Sequence, residues 1–226
     1  MTTKADIVKD YFAGWDNDLD RAKTLLSEQR YYLEAWLVLS CHIGALASLR
    51  FPTLYDNEAY KRVVLNYSGM LEFYEQIDLL FFLQWPQSDL SSHGDFLKLK
   101  DHAQVAKKIE AAFGDKNTIG GARRYVSRDD FLSVVIQSPF PGFDEQNLQQ
   151  YLPLFSNLEL LYRYVRCRAV HDVRFPFVTK VHLLGGGTRY DDNHAITGAV
   201  LYKTALGILN NLRSECMLKN TWPWEL

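Results

Sequence analysis

Cysteine is scarce. Cys41, Cys167 and Cys216 are the only three in 226 residues, odd in number and far apart. That usage argues against both a disulfide framework and a clustered zinc site, and it fits a reducing compartment such as the cytoplasm. Proline is sparse as well, at seven, and there is no Ser/Gly or Pro tract, so a disordered or low-complexity chain is excluded. Nor is there an excess of charge of one sign. The 25 Lys and Arg stand against 27 Asp and Glu, for a net charge of −2, so any polyanion must be held by a local patch rather than by a bulk positive field. The start, MTTKADIVKDYF, offers no apolar core or small-residue cleavage site, and no signal peptide is expected. The longest apolar stretch, Tyr31 to Leu49, is interrupted by Glu34, Ser40, His42 and Ser48, and no basic loop follows it closely. It reads as a buried helix and not as a membrane span. Gly44, Ala45 and Ala47 on it would let a neighbouring helix approach closely.

What is present is an apolar fraction of 47%, enough for one substantial core, so residues 1–226 are expected to form a single helical domain. The periodicity is helical almost throughout. Asp18 and Asp20 precede a short helix at about 20–28; the apolar helix follows to about 50, where Pro52 stops it. Asp56 and Asn57 offer caps for a helix to about 66. Leu71, Phe73, Tyr74, Ile77, Leu80 and Phe81 predict a second core helix over 70–83, ended by Trp85-Pro86. Residues 86–155 read as an insertion, with an amphipathic piece at 101–113 and a short helix after Arg128. Ser156 or Asn157 caps a helix carrying Leu158, Leu161, Tyr162, Val165 and Ala169 at the 3.6-residue period. Residues 177–184 read as a short β-arm, and Asp191 to Asn193 cap a final helix to about 218. The expected fold class is therefore all-α, an up-and-down bundle with an inserted, partly irregular region and that short β-arm before the last helix.

Several candidate sites fail on their own chemistry. Asp16, Asp18 and Asp20 imitate the start of a calcium loop, but Arg21 occupies the glycine position and Ser27 the position of the closing glutamate. Gly185 to Thr188 lack the lysine and the leading buried strand of a phosphate cradle. There is no HExxH, no GxSxG and no His or Cys pair at metal-ligand spacing, so neither a metal nor a cofactor is expected.

One constellation remains. Between residues 163 and 182, Arg163, Arg166, Arg168, Arg174 and Lys180 face Asp172 alone, a local positive surplus that suits phosphate. His171 stands where the helix should end, and imidazole is the side chain that trades protons near neutrality. Arg166, five residues earlier, has the reach to clamp a phosphate or to stabilise the charge that builds on a phosphorane. Together they supply what metal-independent RNA cleavage needs, since the attacking group is the substrate's own 2′-hydroxyl. The plainer reading is a histidine against a helix dipole beside a solvated basic face. A five-residue Arg–His spacing alone is common by chance, so the helix end, the basic surplus and the capped helix that follows carry the weight.

The segment Arg166-Cys-Arg-Ala-Val-His171 and the helix EQRYYLEAWLVLSCHIGALASL resemble the HEPN superfamily, in particular its larger plasmid- and defence-associated members. Cys167 stands where asparagine is frequent after the motif arginine, and Val173 where some members carry a tyrosine. The resemblance covers about 29–85 and 156–218. It implies a homodimer in which two Arg/His pairs face one cleft. It also implies a metal-independent endoribonuclease in a toxin or anti-phage role, with an antitoxin or other neutralising partner. Arg166 and His171 would be catalytic, and Arg163, Arg168 and Arg174 would hold the RNA. The alternative class is a non-catalytic helical interaction module in which the same residues make structural bonds.

Overall fold

The structure, a computed structural model, describes residues 3–87, 94–114, 124–172 and 196–226. It is all-α, with ten α-helices and one two-stranded sheet among the described residues. The expected β-arm at 177–184 and the caps at Asp191 to Asn193 lie outside the described residues. The chain divides into two compact units. The first takes Met1–Leu71, Leu161–Pro176 and Ile196–Leu226; the second takes Glu72–Leu160 and Phe177–Ala195.

The first unit is built around α2 (Tyr32–Arg50), which packs against α1 (Lys4–Leu26), α3 (Asp56–Tyr67), α10 (Gly198–Lys219) and the helix of residues 161–172. A helix met on so many sides needs a wide apolar face. Trp36, Leu39, Ile43 and Leu46 are accordingly buried, which accounts for the long apolar run in the sequence. By length and composition, α2 is the one helix among the described residues that is apolar enough to cross a membrane.

Helix α1 corrects the short helix expected at 20–28, because it runs unbroken through Asp18 and Asp20. Its start is a reciprocal cap: Asp6 N donates to Thr3 Oγ1 at 3.2 Å and Thr3 N donates to Asp6 Oδ2 at 2.9 Å. Val8, Phe12, Leu19 and Ala22 then share its buried face.

The close helix approach lies elsewhere than expected. A side chain at Gly44 would meet nothing within 4 Å, whereas a Cβ at Gly207 on α10 would stand 2.1 Å from the Ser68 carbonyl oxygen. One turn on, Asn211 Nδ2 donates to the Tyr67 carbonyl at 2.7 Å. Helix α10 thereby satisfies a carbonyl at the open C-terminal end of α3, while Gly69 leaves that helix at φ +71°.

In the second unit the core helix expected over 70–83 is broken. Helix α4 (Leu71–Glu75) stops, β1 (Ile77–Asp78) pairs antiparallel with β2 (Tyr125–Val126), and only then does α5 (Leu79–Gln84) begin. Asp78 explains the break. Its extended backbone lets Oδ1 accept from Phe81 N at 3.1 Å as a helix cap. The same carboxylate takes Arg124 in a two-point pair, Nε to Oδ1 at 3.0 Å and Nη2 to Oδ2 at 2.8 Å. Both side chains are nearly or fully buried. Burial pushes the Asp78 carboxyl above its ordinary value, against the opposing pull of Arg124 and the Phe81 amide. Helices α6 (His102–Phe113), α7 (Arg128–Ile136) and α8 (Glu145–Tyr151) complete the unit. Phe82, Phe131, Phe155, Phe96 and Trp85 form a chain of edge and stacked ring contacts at its centre.

Two stability tests follow from this packing. Gly207→Ala is expected to lower stability by about 1–3 kcal/mol through overpacking against a backbone oxygen that cannot swing away. Gly44→Ala should instead be neutral or raise stability by up to about 1 kcal/mol through helix propensity; urea unfolding of both variants checks the contrast. Arg124→Leu should cost about 3–5 kcal/mol by leaving a buried carboxylate alone, and the double variant Asp78→Leu/Arg124→Leu should be more stable than that single one. Equal midpoints for the single and double variants would refute the coupling.

Candidate functional site

The helix that carries the motif changes its winding. Helix α9 (Asn157–Leu160) starts at a cap in which Ser156 Oγ accepts from Glu159 N at 3.2 Å. From Leu161–Arg166 and again over Arg168–Asp172 the chain is π-wound. This departs from the 3.6-residue period expected of the segment, and the consequence for the motif is direct. At 3.6 residues per turn, positions five apart point about 140° away from each other. When hydrogen bonds close over i to i+5, they lie nearly one above the other. The π winding therefore brings Arg166 into line with His171.

Arg166 Nη1 lies 3.2 Å from His171 Nε2. A guanidinium only donates, so Nε2 must be the acceptor, and the neutral ring carries its proton on Nδ1. The other arm of Arg166 is held by α3: Nη2 donates to Asp56 Oδ1 at 2.8 Å. Tyr162 donates its hydroxyl to Asp56 Oδ2 at 3.1 Å. The guanidinium carbon also sits over two rings, 5.3 Å from the centroid of Tyr162 and 5.7 Å from that of Tyr60, within cation–π range. Its Nε is buried and has no hydrogen-bond partner among the described residues. The Arg166 side chain is 12% exposed and that of Asp56 51%; His171 and Asp172 are exposed at the helix end. Desolvation, then the neighbouring Cys167 and Asp56, push the Tyr162 phenol up to about 12, so it stays a hydrogen-bond donor through the neutral range.

The expected pair, Arg166 and His171, is therefore in contact. Arg163 and Arg168 lie on the same π-wound segment, partly exposed, and each is engaged by other groups. Arg174, Lys180 and Val173 lie outside the described residues. Asp56 corrects the sequence reading. It is the first residue of α3, its side chain makes no capping bond there, and it serves instead as the carboxylate partner of Arg166. Tyr162 and Tyr60 were also missed as members of the site. Tyr162 was legible only as one apolar position among several, and nothing in the sequence near Tyr60 ties it to a residue a hundred positions away. Among the described residues no three His, Cys, Asp or Glu side chains gather as a metal site. The three cysteines are unpaired; Cys41 is exposed, Cys167 partly so, and Cys216 buried, with desolvation lifting its thiol to about 11.

The site makes one spectroscopic prediction. In the neutral ring, a long-range 15N–1H correlation spectrum should show His171 as the Nδ1–H tautomer. A pure Nε2–H ring would mean that the Arg166 contact does not exist in solution.

Compared with known proteins, the chain matches no protein-family model, no curated protein and no solved structure.

Proposed function

We propose that this chain is a metal-independent endoribonuclease of the HEPN kind, acting as a homodimer in a toxin or anti-phage role, with Arg166 and His171 as its catalytic pair. The observation that carries the reading is the 3.2 Å contact between Arg166 Nη1 and His171 Nε2, a phosphate-binding group and a proton-transfer group sharing one hydrogen bond. An incoming phosphodiester competes for that arm of the guanidinium. When its oxygen accepts from Nη1, the lone pair on Nε2 is released, so the base becomes available when the substrate arrives. His171 then takes the 2′-hydroxyl proton at Nε2 as the 2′-oxygen bonds to phosphorus. It returns the proton to the departing 5′-oxygen as the P–O5′ bond breaks, leaving a 2′,3′-cyclic phosphate. Arg166 meets the charge that accumulates on the phosphorane oxygens. Arg163 and Arg168, on the same helical segment as the pair, are the candidates to hold the flanking backbone, joined by Arg174. Single-stranded or loop RNA fits best, since an unstacked strand reaches the in-line geometry.

A second reading has its own observation. Arg166 is largely buried and already paired with Asp56, as expected of an arginine that fastens a helical interaction module together.

One set of measurements separates the two. The nuclease reading expects cleavage that persists in EDTA, cyclic phosphate ends, and a rate lowered by about two to four orders of magnitude in His171→Ala with RNA affinity retained. Strict magnesium dependence or 5′-phosphate ends would overturn that chemistry. If the wild-type chain cuts no RNA while His171→Ala and Arg166→Ala only melt at a lower temperature, the interaction module is the function.

A further inference from the structure

We propose that Asp56 is a positioning residue for this site, acting on His171 through Arg166; the proposal rests on the nuclease reading above. Asp56 opens α3, 110 residues from Arg166 in the chain. Its two carboxylate oxygens are divided between two donors of one π-wound stretch, Arg166 Nη2 at 2.8 Å and the Tyr162 hydroxyl at 3.1 Å. Two donors on two oxygens fix the plane of the carboxylate. A planar guanidinium gripped at one arm, with the faces of Tyr60 and Tyr162 beside it, then has little freedom left in the direction of Nη1. That direction is the one in which His171 Nε2 lies. The carboxylate thus fixes the guanidinium, and the guanidinium fixes both the orientation and the tautomer of the imidazole.

Charge adds to this geometry. An anion arriving at Arg166 is repelled from the edge that Asp56 occupies and is left the edge facing His171. Asp56 thereby determines which arm of the guanidinium meets the phosphate, and hence which atom lies beside the base. The α3 N-terminus suits this use, because the helix dipole favours a carboxylate there without demanding that its side chain cap the helix.

The test compares Asp56→Ala, Asp56→Glu and Tyr162→Phe in the full chain, with wild type and His171→Ala as references. Single-turnover cleavage of a labelled single-stranded RNA in EDTA and the 15N–1H spectrum of His171 are read on each. For Asp56→Ala the expected result is a catalytic rate lower by about ten- to hundredfold with KM within about threefold, the pattern of misplacement and not of lost binding. Its His171 ring should move away from the Nδ1–H tautomer. Asp56→Glu should recover part of both, and Tyr162→Phe should show a smaller loss in the same direction. Thermal melting separates these effects from unfolding. An Asp56→Ala chain that is folded, cleaves at the wild-type rate and keeps the wild-type tautomer overturns the proposal. Faster cleavage also overturns it, since Asp56 would then be blocking Arg166. If the wild type cleaves no RNA at all, the nuclease reading falls, and the ring spectrum still decides the positioning role: an unchanged tautomer refutes it and a changed one supports it.

Discussion

The winding of residues 161–172 is the constraint on which the rest of the site depends. A π turn is rare, and six residues of it followed by five more require support from outside the helix. That support comes from both sides. Leu161, Val165 and Ala169 are fully buried in the first unit, where the segment packs against α2. On the polar side, Asp56 ties the helix to α3 through two hydrogen bonds, from Tyr162 and Arg166. With apolar contact on one face and an ion pair on the other, the segment is held at a pitch its own backbone would not choose. Apolar burial decides that the segment packs as a helix, and the polar side depends on the pitch that results.

Sequence patterning made the apolar half of this arrangement legible, and much less of the polar half. The apolar run located α2, capping residues α3 and α7, and amphipathic spacing α6 and α10, because each of these signals follows from local burial or local backbone bonding. Local patterning failed where a polar residue does something that spacing does not encode. Asp78 breaks the expected 70–83 helix because its carboxylate engages Arg124, 46 residues away; no local signal distinguishes such an aspartate from one on a solvated face. The Thr3–Asp6 cap that starts α1 went unread, and the aspartates at 18 and 20 set the expected start too late. The Arg166–His171 pair was legible through residue type and position, and so was the reach of the guanidinium to the same side; the π winding that aligns the two was not. Asp56 was legible as a helix start and not as an ion partner, because that role depends on tertiary approach.

The choice of arginine at position 166 follows from the three demands on it. It must satisfy a carboxylate, donate to an imidazole nitrogen and lie against aromatic faces, all while largely removed from water. A guanidinium presents its donors in one rigid plane and carries its charge with weak hydration, so it meets all three at modest desolvation cost; an ammonium, compact and strongly hydrated, has no plane with which to do so. The Asp56 side chain, half exposed, keeps its own hydration while neutralising the more buried partner. Unequal burial of this kind avoids the heavier penalty carried by the fully buried Asp78–Arg124 pair of the second unit, where both charges have left water and only their mutual geometry compensates.

The two ion pairs thus differ in what they leave free. Asp78 and Arg124 share two hydrogen bonds across a buried joint between a strand and a helix, an arrangement suited to fixing a fold. Arg166 spends one arm on Asp56, presents the other to an exposed imidazole at a helix end, and holds a third nitrogen, Nε, without a partner among the described residues. A pair that served only to fasten α3 to its neighbour would gain from a two-point grip on the carboxylate, as Arg124 makes on Asp78 through Nε and Nη2. The arm turned toward His171 gives up that second ionic bond for a weaker one to a neutral nitrogen. On the proposed reading, that concession is what sets Arg166 apart from Arg124, whose bonds close a joint of the fold.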